Sequence, residues 1–171
     1  MSAETSPFGQ YRLREIEPRD DEAVARIIRD VMTEYGAVGP GFAIHDAEVD
    51  AMYAAYRGPE SRYFVVTGPD DVPLGGGGFG RLAGTARVLG TAELRKMYFR
   101  PEIRGKGLGR MVLERCIREA RSLGFRVMYL ETHSSMKEAQ TLYRKAGFLP
   151  RRTPLGATGH CGCDRYYFRD V

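Results

Sequence analysis

Residues 103–110 read IRGKGLGR, three glycines and three cations in eight positions, directly ahead of a run with helical spacing. Such a loop is an anion site on physical grounds. The first turn of a helix leaves N–H groups unpaired, the helix dipole is positive there, and glycine lets a ligand approach the backbone closely. Spacing narrows the anion. No Gly-Lys in the chain is followed by Ser or Thr, so the GxxxxGK[ST] loop of ATP-binding folds is absent. Gly105, Gly107 and Gly109 follow GxGxG, not the GxGxxG of dinucleotide-binding folds. A second glycine run, GGGGFG at 75–80, follows a turn instead of leading into a helix. It reads as a strand that admits a bulge or close backbone approach. The segment His160-Cys161-Gly162-Cys163-Asp164 carries zinc-ligand types but lacks a second ligand pair, so no metal is expected. The expectation there is a strand with small buried thiols.

These residues need elements to hold them. YRLREIE at 11–17 reads as a strand, and Pro18 followed by acids starts a helix whose Val24, Ile27, Ile28 and Val31 share one face. A second helix is expected over 46–56, stopped by Gly58-Pro59. RYFVVTG and LGGGGFGRL form a hairpin about GPDDVP, and TAELRKMYF at 91–99 is a longer strand. The best helix runs over 106–123, with Leu108, Val112, Cys116, Ala120 and Leu123 as its stripe and Gly124 as its stop. RVMYLET is a strand, MKEAQTLYRKAG a helix, and the tail offers two more short strands. The order β-α-α-β-β-β-α-β-α-β-β describes an α/β domain with a mixed, mostly antiparallel central sheet and about four helices.

With the loop set between a strand and a long helix, Arg104-x-x-Gly107-x-Gly109 resembles the R/Q-x-x-G-x-G/A signature of the GNAT acetyltransferase superfamily. Ala139-x-x-Leu142-Tyr143-x-x-x-Gly147-Phe148 resembles the superfamily's second, helix-to-strand signature, in the right order and at the right distance. The match spans roughly residues 91–150. The resemblance implies a GNAT-like fold and a loop whose Arg104, Gly105, Lys106, Gly107, Leu108, Gly109 and Arg110 line the diphosphate of acetyl-coenzyme A. It also implies that the backbone of Met97, Tyr98 and Phe99 pairs with the pantetheine arm. Acyl transfer from a thioester to an amine needs a base for the amine, a donor for the developing oxyanion and an acid for the departing thiolate. By resemblance Tyr143 is the general acid, Glu93 the candidate base and Glu131 the alternative base, with a backbone N–H of Met97 or Tyr98 on the carbonyl oxygen. The family's frequent Asn three positions before Ala139 is here Met136. The last hairpin often borders the acceptor in this family, which brings His160 and Asp164 into question as contacts. A non-catalytic acyl-coenzyme A-binding module is the alternative reading; it would need no acid or base.

Composition bounds the remainder. In 171 residues, 43% hydrophobic and 28% charged, one domain can bury its own core, with residues 1–9 expected as a flexible N-terminus. Three cysteines and a polar opening argue against a disulfide framework and a signal peptide, and point to the cytoplasm. No apolar stretch reaches the ~20 residues of a membrane span. A net charge of +4 is modest for a nucleic-acid binder, and aromatics interleaved with cations are missing, so no nucleic-acid partner is expected. The amine acceptor is expected to be small, and the oligomeric state stays open, a homodimer included.

Overall fold

The computed structural model describes residues 4–5, 9–85 and 90–171. In chain order its elements are β1 (Glu4–Thr5), β2 (Arg12–Glu15), α1 (Asp21–Glu34), α2 (Met52–Ala55), β3 (Arg62–Thr67), β4 (Pro73–Arg81), β5 (Thr91–Phe99), α3 (Leu108–Ser122), β6 (Val127–Thr132), α4 (Lys137–Lys145), β7 (Leu149–Arg151) and β8 (Arg165–Asp170). The eight strands form one sheet in the order β1-β2-β3-β4-β5-β6-β8-β7. Among the described residues only β5 and β6 pair in parallel, and α3 is the crossover that a parallel pair requires.

The sheet is covered on both faces, and β3 shows why its sequence is apolar throughout. Phe64 and Val66 enter a core with Val112, Leu113, Cys116 and Ile117 of α3, while Tyr63 and Val65 enter a second core with Val24, Ile28 and Met32 of α1. Period-two alternation then places an apolar residue on each side. Each such aliphatic side chain, fully buried, is worth ~1.5–3 kcal/mol. The glycines of β4 serve close packing: a Cβ on Gly78 would lie 2.5 Å from Tyr63 Cδ2. A bulge lies here too, but its extra residue is on the partner strand β5 and not in the glycine run, at the register shift between Gly76 and Gly78.

That bulge sets the geometry of the site. Gly78 pairs with Arg95 and Gly76 with Tyr98, so Lys96 and Met97 together oppose Gly77. Lys96 takes φ 49°, a left-handed conformation that non-glycine residues rarely hold. The extra residue inverts the facing of β5. Leu94 and, beyond the bulge, Met97 and Phe99 pack with the α3 core, whereas Tyr98 packs with the α1 core. The second determinant is a splay. β5 and β6 pair only from Thr91–Val127 to Glu93–Tyr129, although β5 continues to Phe99 and β6 to Thr132. Beyond Glu93 one edge of β5 is free of strand partners, and a groove opens there.

Three expectations need correction. Glu4 and Thr5, assigned to a flexible N-terminus, pair with Leu13 and Arg12 of β2; residues 1–3 and 6–8 lie outside the described residues. The helix expected over 46–56 is a 3-10 segment, Ala47–Ala51, followed by the single turn α2. Residues 160–164 form a loop, not a strand, and Cys161 is exposed, because the chain there is held by contacts to residues 41–46 instead of a ladder. Among the described residues, no helix is long and apolar enough to cross a membrane.

Candidate active site

The glycine loop takes the shape its sequence requires. Gly105 and Gly107 have φ 72° and 77°, and Gly107 caps α3 in the left-handed region. The first helical bond runs from Met111 N–H to Gly107 O, which leaves the N–H groups of Leu108, Gly109 and Arg110 without a backbone acceptor among the described residues. The loop opens onto a groove of about 470 Å³ between β5 and α4, walled by Met97, Tyr98, Phe99, Arg104, Gly105, Gly107, Gly109 and Arg110. Gly109 also serves close packing against α4: a Cβ there would stand 3.3 Å from Leu142.

The charged and apolar side chains of this loop behave differently from its backbone. Arg104 grips Glu34 through two 2.7 Å bonds and donates to Phe99 O at 2.8 Å, closing the end of α1 onto the loop. Lys106 turns to the Tyr11 hydroxyl at 3.1 Å and does not line the groove. Leu108 is buried in the α3 core, so only its backbone faces outward. Arg110 lines the groove while held by Glu114 at 2.6 Å.

Behind the groove lies a smaller inner cavity of about 60 Å³. The two share Met97, Tyr98, Met136, Ala139 and Tyr143 as a common wall. Tyr143 packs against Phe148 and Tyr167, and its hydroxyl has no hydrogen-bond partner among the described residues. Burial raises its pKa above the ordinary phenol value, so it stays protonated at neutral pH. Met136, standing where the resembling family often has Asn, fills part of this wall and accepts a weak contact from Thr132 Oγ1 at 3.6 Å.

Glu93 and Glu131 both line the inner cavity. They sit on the sheet face opposite Ala92, Leu94, Met128 and Leu130, all of which enter the α3 core. On that face residues 41–46 and 155–164 add to the cover given by α1: Gly41 and Asp46 meet Gly162 and His160, and Leu155 and Thr158 meet Tyr129 and Glu131. Glu93 is 3% exposed; its Oε2 accepts from Arg95 Nε at 2.7 Å, and its Oε1 lies 3.8 Å from His160 Nδ1. Glu131 accepts from the Tyr129 hydroxyl at 2.8 Å and from Thr158 Oγ1 at 2.9 Å. Burial raises its pKa, opposed by those two hydrogen bonds and reinforced by the charge of Glu93.

Sequence reasoning missed Asp46 and the part played by Lys96. Lys96 is 1% exposed at its side chain and joins Asp46 at 2.7 Å and also Glu48. Asp46 in turn receives His160 Nε2 at 3.0 Å. Burial alone would raise the Asp46 pKa, but hydrogen bonds from His160 and Lys96 bring it down to about 2. The only local signal was a lysine in mid-strand, which is ordinary on an exposed face. Cys163 also lines the inner cavity, its thiol pushed up to about 12 by burial, and so is a poor nucleophile. His133 holds Ser135 Oγ at 2.7 Å and edges onto Phe42, while His45 bonds Val38 O at 2.8 Å; both order the loops over the cavity. Asp164 caps the Ser134 N–H at 2.8 Å and does not line either cavity.

Residues 24–148 match the model of the acetyltransferase (GNAT) family. The chain is similar to the uncharacterized N-acetyltransferase YjgM of Escherichia coli K12, 39% identical over 160 residues, which is 93% of this chain and 94% of that protein. Among solved structures, a GNAT-family acetyltransferase from Staphylococcus aureus Mu50 superposes with TM-score 0.79 at 18% identity, covering 94% of this chain and 98% of that one. The structure of yncA from Salmonella typhimurium with its cofactor acetyl-CoA superposes with TM-score 0.74 at 23% identity, covering 94% of each chain.

Proposed function

Because the chain belongs to the GNAT acetyltransferase family, we propose that it moves an acetyl group from acetyl-coenzyme A to a primary amine of a small molecule, by direct attack within a ternary complex. The residues present fit the cosubstrate. The free N–H groups of Leu108, Gly109 and Arg110 suit a diphosphate, and the unpaired edge of β5 at Met97, Tyr98 and Phe99 suits an amide-bearing arm. When bound, acetyl-coenzyme A supplies an activated acetyl thioester.

The residues of the chain then divide the work. Glu93, whose Oε1 faces the inner cavity side of His160, takes a proton from the incoming ammonium; Glu131 is the alternative base. A backbone N–H of Met97 or Tyr98 supports the oxyanion. Tyr143, with a free hydroxyl held protonated, delivers a proton to the departing sulfur. One observation carries the reading: Tyr143 belongs to the wall between a groove that begins at an anion loop and a cavity that contains two carboxylates. The small inner volume favours an amine over a bulky acceptor.

The test is thiol release from acetyl-coenzyme A against a panel of small amines. Turnover is expected on at least one, with kcat lowered about 100-fold or more in Tyr143→Phe and cosubstrate affinity unchanged. Cosubstrate binding without thiol release on any amine would replace this reading with that of an acyl-coenzyme A-binding module.

A further inference from the structure

The reaction above converts an ammonium and a thioester into an amide, a thiol and one proton. Of the three ammonium protons, one stays on the amide nitrogen and the thiol gains the equivalent of one. The third must leave from Glu93, a carboxylate only 3% exposed, so a route to solvent is part of the chemistry. This inference rests on the proposed acetyltransferase reading.

An outer cleft lies beyond the inner cavity, and the two share Glu93, Arg95, Lys96 and His160 as a wall. Glu131 does not reach that cleft, and both its oxygens are engaged by Tyr129 and Thr158. Glu93 is different: Arg95 holds Oε2, and Oε1 points toward His160 Nδ1. On the far side of the imidazole, Nε2 meets Asp46 at 3.0 Å. A carboxylate at Nε2 selects the tautomer with its hydrogen on that nitrogen, so the lone pair at Nδ1 faces Glu93.

We propose that His160 is the proton relay of the acceptor site, carrying the released proton from Glu93 to the outer cleft with Asp46 as its positioning residue. The amine gives its proton to Glu93 Oε1, Glu93 passes it to His160 Nδ1, and the imidazolium, keeping its Nε2–H on Asp46, gives the Nδ1 proton to water of the cleft, which restores the starting tautomer. The resting 3.8 Å gap exceeds a hydrogen bond and closes through one water or a small ring movement. The other groups around the ring set its balance. Asp46 from the covering loop and Glu93 from β5 favour the imidazolium, Lys96 from β5 opposes it, Glu131 on β6 adds negative charge, and Arg95 offsets Glu93. The His160 pKa is raised, chiefly by the hydrogen bond to Asp46 and against its burial.

The relay is tested on the full-length protein with an amine found in the panel. kcat is expected to fall about tenfold or more in His160→Gln and less in Asp46→Asn, measured at a temperature where both variants remain folded and with acetyl-coenzyme A affinity unchanged. In His160→Gly, added imidazole is expected to restore the rate several-fold, an effect absent from the unaltered protein. Separately, the His160 ring resonance followed by NMR against pH is expected to titrate at lower pH in Glu93→Gln. Retained kcat in His160→Gln, or loss with a wild-type pH profile and no rescue by imidazole, overturns the relay. So does a His160 midpoint unmoved by Glu93→Gln. If no amine is turned over at all, the acetyltransferase reading itself fails and the relay falls with it, whereas turnover with an indifferent His160 removes the relay alone.

Discussion

The anion loop at residues 104–110 offers backbone N–H groups, and its cations are already engaged: Arg104 by Glu34, Arg110 by Glu114, Lys106 by Tyr11. The inner cavity, one side chain away across Tyr143, has a largely apolar lining broken by Glu93, Arg95, Lys96, Glu131 and His160, and Lys96 and His160 link it to Asp46 and Glu48 of the outer cleft. A backbone cradle needs only a few adjacent residues with permissive φ, so it survives change in its side chains. A side-chain network needs every partner, and removing one leaves a buried charge exposed to no counter-charge.

The sharpest way to break that comparison is at Lys96. Lys96→Met removes the ammonium between Asp46 and Glu48, whose side chains are 29% and 28% exposed. A destabilisation of about 2 kcal/mol is expected from denaturant unfolding, below the value for a fully buried pair because solvent screens both carboxylates. Acetyl-coenzyme A affinity should hold, since the groove lies beyond the wall. On the donor side the backbone is the target. Gly107→Val forces a β-branched residue to φ 77°, at a cost of roughly 1–2 kcal/mol, so acetyl-coenzyme A affinity measured by calorimetry should fall about tenfold. An unaffected affinity would mean that the loop conformation is not what binds.

The pH dependence of stability sharpens the contrast further. His160 has a folded pKa above its unfolded value near ~6.5, so its contribution is complete below that value and is lost as pH rises through the folded pKa. Asp46 is the opposite case. Its pKa of about 2 gives a contribution present above ~4 and lost as pH falls toward 2. The unfolding free energy of the wild type relative to His160→Gln is therefore expected to be largest in mildly acidic solution and to shrink toward alkaline pH. The smallest effect is expected at Arg110. Arg110→Ala breaks an exposed i,i+4 pair that solvent screens, and the denaturant midpoint should stay where it is. Its loss should weaken acetyl-coenzyme A binding only slightly, and less still at high salt; a large drop would make the groove a side-chain site after all.

How much was legible follows the same division. The helices of Asp21–Glu34 and Leu108–Ser122 and the 62–81 hairpin could be read from period and punctuation, because burial on one stripe or two faces imprints the sequence locally. The glycine loop was legible because its requirement is also local. Residues 46–56 were misread as one helix: their apolar spacing suits a helix, but the segment is 3-10 up to Ala51, and Ala51 itself leaves the helical region at φ −144° and ψ 46°. The loop at 160–164 was misread as a strand because nothing in it announces that Gly41 and Asp46, more than a hundred residues away, hold it.

By itself, then, the sequence determined a mixed α/β fold, an anion loop at a helix N-terminus and a tyrosine in a family signature. Tertiary structure alone decided three things. The bulge at Lys96 put Glu93 and Met97 on opposite faces, the splay of β5 from β6 opened the groove, and the covering loops set His160 between Asp46 and Glu93. The reason is range. Dihedral preference and amphipathic period act over a few residues and leave a trace at each position, whereas charge pairing in a low-dielectric cavity depends on distance in space and leaves none along the chain.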